Sequence, residues 1–143
     1  MLNSKKLLIM GLPGAGKTTL ARALSPLIGA VHFNADAVRA NISRDLGFSP
    51  ADRIEHARRM GWLCERVTAA GYRAIADFVC PTAETREAFG PCCLILADRI
   101  KAGRFDDTNQ LFSAPADPDF RITAEGTPEF WAELIAKALR ETD

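Results

Sequence analysis

The 143-residue chain has no surplus of charge of either sign, since 18 lysines and arginines balance 18 aspartates and glutamates. That balance argues against nucleic-acid or membrane-surface binding, both of which draw on a basic excess. No apolar run approaches the length needed to span a bilayer. Met1 to Lys6 leads into only four apolar residues, Leu7 to Met10, before a glycine follows, too few for a secretory leader. Cysteine is scarce and unpatterned: Cys64, Cys80, Cys92 and Cys93 form no C-x-x-C pair. Buried, reduced thiols in a cytoplasmic protein are therefore expected rather than a metal site or a disulfide framework. There is no internal repeat and no low-complexity tail. One domain covering residues 1–143 is expected, with space for a three-layer core and little for a separate substrate domain.

What the chain does have is Gly11-Leu12-Pro13-Gly14-Ala15-Gly16-Lys17-Thr18, a match to G-x-x-x-x-G-K-[ST]. Leu7-Leu8-Ile9-Met10 before it reads as a buried strand, and Thr19 to Leu24 after it as a helix. Strand, glycine loop and helix together form a nest of backbone N–H groups at a positive helix end, suited to phosphate oxygens. Gly11, Gly14, Ala15, Gly16, Lys17, Thr18 and Thr19 are the expected nucleotide-binding residues. Lys17 reaches the outer phosphates and Thr18 holds Mg²⁺ in this arrangement, so ATP and Mg²⁺ are the expected cofactors.

The first helix carries Leu20, Ala21, Leu24, Leu27 and Ile28 on one stripe and should end at Gly29. A short strand, Ala30 to Phe33, delivers Asn34 to Arg39 to its C-terminal edge, where ligands sit in open α/β sheets. Ser49 as N-cap and Pro50 at the first position open a helix running to Ala70, with Ile54, Ala57, Gly61, Cys64 and Val67 expected inward. Arg53 and His56 share a different face, and Glu55 with Arg59 suits a surface i,i+4 pair. Arg73 to Val79 is an apolar strand carrying one acid, as expected of a parallel strand buried on both faces. A short helix over Thr82 to Phe89 and a strand from Cys92 to Leu96 follow. Residues 98–117 lose periodicity and read as a lid segment. A last strand, Phe120 to Thr123, precedes a helix from Thr127 with Phe130, Trp131, Leu134, Ile135, Ala138 and Leu139 inward. The expected fold is a three-layer α/β P-loop NTPase fold, a five-stranded parallel sheet flanked by helices.

Phosphoryl transfer needs positioning, charge neutralisation and a group that orients or deprotonates the acceptor. Asp36, just beyond the second strand, is the first candidate for that group, with an N-cap for the helix that follows it as the lesser alternative, compatible with the first. Asp77, ending an apolar strand, has the arrangement of an acid that meets Mg²⁺. Arg39, Arg44 and Arg53 suit an anionic substrate. Phe48 suits either base stacking or anchoring of its loop in the core. Arg99, Lys101 and Arg104 are candidates for neutralising transition-state charge, Arg104 being taken as catalytic with Lys17, Asp36 and Asp77. A nucleotide-binding regulatory module is the rival from another class. No Asn-Lys-x-Asp element marks a GTPase.

The phosphate loop, Asp36-Ala37-Val38-Arg39, Arg44-Asp45-Leu46-Gly47-Phe48-Ser49, Asp52-Arg53-Ile54-Glu55, Arg58-Arg59, Cys80-Pro81 and Glu84-Thr85-Arg86 resemble adenylyl-sulfate kinase from about Lys6 to Phe89. The resemblance implies transfer of the γ-phosphoryl of MgATP to the 3′-hydroxyl of adenylyl sulfate. It further implies Asp36 as acceptor-side acid, Arg39 and Arg53 on the substrate's anionic groups, Phe48 on its adenine, and a pairing into homodimers. His56 joins the substrate-binding residues in place of the family's asparagine. The chain departs from the family where Asn34-Ala35-Asp36 replaces Asp-Gly-Asp. It departs again in the lid, where Arg104 to Asn109 stands for a longer segment and Phe105 or Phe112 is the available second aromatic. An acceptor other than adenylyl sulfate, such as a nucleoside, a sugar or an antibiotic-like hydroxyl compound, remains the alternative.

Overall fold

In the computed structural model, residues 2–100 and 111–143 are described. The elements are β1 (Lys6–Met10), α1 (Lys17–Ile28), β2 (Ala30–Asn34), α2 (Ala35–Asn41), α3 (Pro50–Ala69), β3 (Arg73–Asp77), α4 (Ala83–Phe89), β4 (Cys93–Ala97), β5 (Phe120–Ile122) and α5 (Pro128–Thr142). The five strands form one sheet in the order β2-β3-β1-β4-β5, and every neighbouring pair is parallel. The expected three-layer α/β sandwich is what these residues build.

Alternation along β1 divides the core. Leu7 and Ile9 join Leu20, Leu24, Ile135 and Leu139 on the side covered by α1 and α5. Leu8 and Met10 join Ala57, Met60, Cys64 and Phe89 on the side covered by α3 and α4. Both faces of the strand are apolar because both are covered. Local sequence sets the helix ends: Ser49, Thr82 and Thr127 each accept a backbone N–H at an N-terminus, and Gly29 closes α1. Among the described residues no helix is long and apolar enough to cross a membrane.

Several inward faces differ from expectation. In α3 the buried side chains are His56, Ala57, Met60, Gly61 and Cys64, whereas Ile54 is exposed. The turn of the helix is set by close packing on α4: a Cβ at Gly61 would lie 2.2 Å from the Phe89 carbonyl oxygen, so this face must meet α4. In α5 the buried seam is Ala132, Ile135, Ala136 and Leu139, while Phe130 and Leu134 lie in solvent. Leu27 of α1 is likewise exposed. Strand β3 ends at Asp77 rather than Val79, so Phe78 to Cys80 belong to the loop at the sheet's C-terminal edge.

Candidate functional site

The order β2-β3-β1 sets three strand ends side by side at one edge of the sheet. The loop after β1 turns tightly, with Gly14 and Gly16 at φ 89° and 85°, conformations a side chain would strain. Ala15 N donates to Leu12 O at 3.1 Å, and Lys17 Nζ donates to the same carbonyl at 2.9 Å. The ammonium is thus held within the arc of its own loop.

Thr18, in the first turn of α1, donates from Oγ1 to Asp77 Oδ1 at 3.0 Å. Asn34 Nδ2 donates to Thr18 Oγ1 at 3.2 Å and lies 3.3 and 3.4 Å from the two Asp77 oxygens. His32 Nε2 is hydrogen-bonded to Asp77 Oδ2. Asp77 is only 2 % exposed, so these contacts are what make a buried carboxylate tenable there. Among the described residues no group of three or more His, Cys, Asp or Glu side chains could hold a metal. A hydroxyl and one carboxylate beside a phosphate loop suit Mg²⁺, which takes few protein oxygens and completes its shell with phosphate and water.

Asn34, not Asp36, caps α2: its Oδ1 accepts Ala37 N at 3.0 Å. Asp36 sits exposed in the first turn, so the capping alternative for it is set aside. Phe48 is 65 % exposed and its ring lies under two guanidinium groups, Arg39 at 4.3 Å and Arg53 at 5.6 Å. It is therefore no core anchor. Arg39 Nη1 donates to Gly47 O at 2.8 Å and Arg53 Nε to Phe48 O at 2.9 Å, which clip the loop onto α2 and α3. Arg59 secures the same loop from behind through Asp45, at 2.9 Å, and is itself held by Glu55 of its own helix, at 2.8 Å. Hydrogen bonds from Arg58 and Arg59 hold the Glu55 carboxyl down at about 2.

His56 is 2 % exposed and neither ring nitrogen has a partner among the described residues. Its ring meets the edge of Phe78 at 6.0 Å. Burial, followed by the charges of Arg39 and Arg59, pushes its pKa down to about 4. It is therefore a neutral imidazole at physiological pH.

One cleft of about 510 Å³ is lined by Gly14, Gly16, Lys17, Thr18, Thr19, Asp36, Arg39, Phe48, Arg53, His56 and Asp77. It joins nearly all the residues singled out in the sequence. Gly11 and Ala15 lie buried beneath the loop and do not line it. Arg44 turns back to the Ala40 carbonyl at 2.7 Å and is also outside. Arg99 packs against the other side of the loop, near enough that a Cβ at Gly16 would sit 2.7 Å from its Nη1. Phe112 packs against the α3 and α4 core and is no stacking aromatic. Lys101, Arg104 and Phe105, with half of the proposed lid, lie outside the described residues. Asn34 was expected at this edge without a role, whereas His32, Phe78 and Cys80 were not anticipated at the site. The period-2 spacing of His32 and Asn34 was the available signal, since it puts both on one strand face. Cys80, at φ 47°, is buried, and burial pushes its thiol up to about 12, so it is not a nucleophile.

Known proteins share both the fold and the motifs. The structure superposes on the Mycobacterium tuberculosis APS kinase CysC, solved with AMPPNP and APS, with a TM-score of 0.81 at 21 % identity over 99 % of each chain. A sugar kinase from Janibacter gives 0.71 at 21 % identity, covering 95 % of this chain and 92 % of that one. At such identities the likeness concerns the fold. In sequence, the adenylyl-sulfate kinase of Shewanella oneidensis is 41 % identical over 83 residues, 54 % of this chain and 40 % of that protein. The chain thus spans well under half the length of that relative. The family profile described as adenylylsulphate kinase matches residues 3–92, the stretch that contains the loop, both site acids, the arginines and Phe48. With most of its length under that match, the chain belongs to the adenylylsulphate kinase family.

Proposed function

We propose that residues 1–143 form a single kinase domain that transfers the γ-phosphoryl of ATP to a hydroxyl of a small anionic acceptor, with adenylyl sulfate the first candidate. The observation that carries this reading is the shared cleft. It has the phosphate loop, Lys17 and Thr18 together with Arg39, Phe48 and Arg53, and Asp36 on its wall. Loop amides and Lys17 hold the phosphates. Phe48 offers a π face to a base, and the two guanidinium groups beside it offer paired donors to phosphate or sulfate. Asp36 accepts the hydroxyl proton as the acceptor oxygen bonds to the γ-phosphorus and the bond to the β-phosphate oxygen breaks, releasing ADP. Thr18 and Asp77 hold Mg²⁺, which when bound neutralises charge on the outer phosphates.

A second acceptor is favoured by one observation, the neutral, unpartnered imidazole of His56 on the cleft wall where the family has an asparagine. A compound that pairs with an imidazole rather than an amide would remain a small hydroxyl substrate within the same chemistry. Steady-state kinetics of Arg39→Ala test the acceptor assignment. Loss of a charge-assisted contact of ~1.5–3 kcal/mol should raise the acceptor KM by about 10- to 100-fold. The KM for ATP should stay near that of the wild type; an equal rise in both would refute the division of the cleft into two subsites.

A further inference from the structure

We propose that His32 is a positioning residue, which fixes the Asp77 carboxylate for the divalent-cation end of the cleft. The inference rests on the reading that Asp77 and Thr18 hold Mg²⁺, and adds how that end is built. The β2–β3 register pairs His32 with Ile75 and Asn34 with Asp77, so the imidazole approaches the carboxylate from two residues back along the neighbouring strand. His32 and Asn34 share one strand face by alternation.

The contacts divide the carboxylate in two. Oδ1 takes the Thr18 hydroxyl at 3.0 Å, on the side of the phosphate loop, and Oδ2 is bonded to His32 Nε2. With its far oxygen tied to a ring on the neighbouring strand, the carboxylate is turned so that Oδ1 meets Thr18 at the opening of α1. The two side chains are 17 % and 3 % exposed, so water competes little for the tie. Asn34 closes the arrangement from the same strand while its own carbonyl oxygen caps α2. Where the resembled family begins Asp-Gly-Asp, this chain has Asn34, and the carboxylate at that level stands across the ladder at Asp77. An amide and an imidazole on β2 thus orient an acid on β3. Groups that hold a metal-binding carboxylate from behind commonly change metal affinity by 10- to 100-fold.

The test is Mn²⁺ binding, followed by electron paramagnetic resonance of the free ion, to the protein saturated with a non-hydrolysable ATP analogue. His32→Leu is expected to weaken Mn²⁺ binding at least tenfold while analogue binding in EDTA is unchanged. His32→Gln, whose amide reaches Oδ2, is expected to recover most of the affinity. His32→Asn, polar but too short, should behave like the leucine variant and serves if that variant does not fold. Asp77→Asn is the control. If it abolishes tight Mn²⁺ binding and the histidine variants bind as the wild type does, the positioning role is overturned and the metal-site reading stands. If Asp77→Asn itself binds normally, the metal-site reading is wrong and the positioning role is lost with it.

Discussion

Lys17 and Asp36 occupy the cleft on different terms, one drawn into its loop by the Leu12 carbonyl and the other exposed on the first turn of α2. Lys17→Ala should abolish turnover and leave the melting temperature within a few degrees of wild type, because its side chain belongs to the half-buried loop and to neither apolar core. Asp36→Asn should lower kcat by at least ~10²-fold if the carboxylate takes the proton, and a capping defect cannot be the cause, since Asn34 is the cap. An unchanged kcat would remove Asp36 from the chemistry. His56 makes a prediction through pH. Its pKa is about 4 when folded against an ordinary value of 6.5, so between these values the unfolded chain binds the extra proton. Its contribution to stability is fully present above pH 6.5 and declines as pH falls towards 4. Denaturation midpoints of the wild type and His56→Gln measured from pH 7.5 to 4.5 should therefore diverge at high pH and converge on acidification. Parallel curves would show that His56 is not held neutral by the fold.

At the scale of elements, the loop with α1 and the edge with α3 were unequally legible. The glycine spacing and Lys17-Thr18 announce their geometry because the backbone itself does the binding, and the apolar run of β3 singled out Asp77 as its one acid, although the strand was expected to run on to Val79. The inward face of α3 was legible at Ala57, Gly61 and Cys64, with Val67 packed at the margin of the core, but not at Ile54, His56 and Met60. Hydrophobicity alone favours Ile54 and Val67 on that face, but the helix is turned by Gly61 pressing on the Phe89 carbonyl, which brings His56 under the cleft and leaves Ile54 outside. On α5 the expected face was right at Ile135, Leu139 and Trp131 and wrong at Phe130 and Leu134, because the small Ala132 and Ala136 complete the tight seam. Gly61→Ala tests this packing. A Cβ 2.2 Å from a backbone oxygen forces α3 and α4 apart, which should cost ~1–3 kcal/mol and lower the melting temperature by several degrees. Because His56 and Phe78 move with α3 and its neighbours, the acceptor KM should rise more than the ATP KM. A variant as stable as the wild type would mean that the two helices do not meet there.

Over the whole molecule charge is balanced, and among the described residues Lys17, Arg39 and Arg53 come together on the cleft at the C-terminal edge of β1, β2 and β3, with α2 and α3 above it. The family match ends at residue 92 while the fold continues through β4, β5 and α5, whose alternation and caps identified them without any motif. Chemistry was legible where it depends on residue type and spacing. Acceptor identity was not, since it depends on how Arg39, Arg53, Phe48 and His56 converge from separate segments, and Arg104 lies outside the described residues. The most direct test is ADP release from MgATP with adenylyl sulfate against a panel of nucleosides, sugars and sugar phosphates, with Lys17→Ala as blank. Stimulation by a hydroxyl acceptor, adenylyl sulfate first, that vanishes in Lys17→Ala is the predicted result. Tight ATP binding with no stimulation by any member of the panel would contradict the assignment as a small-molecule kinase.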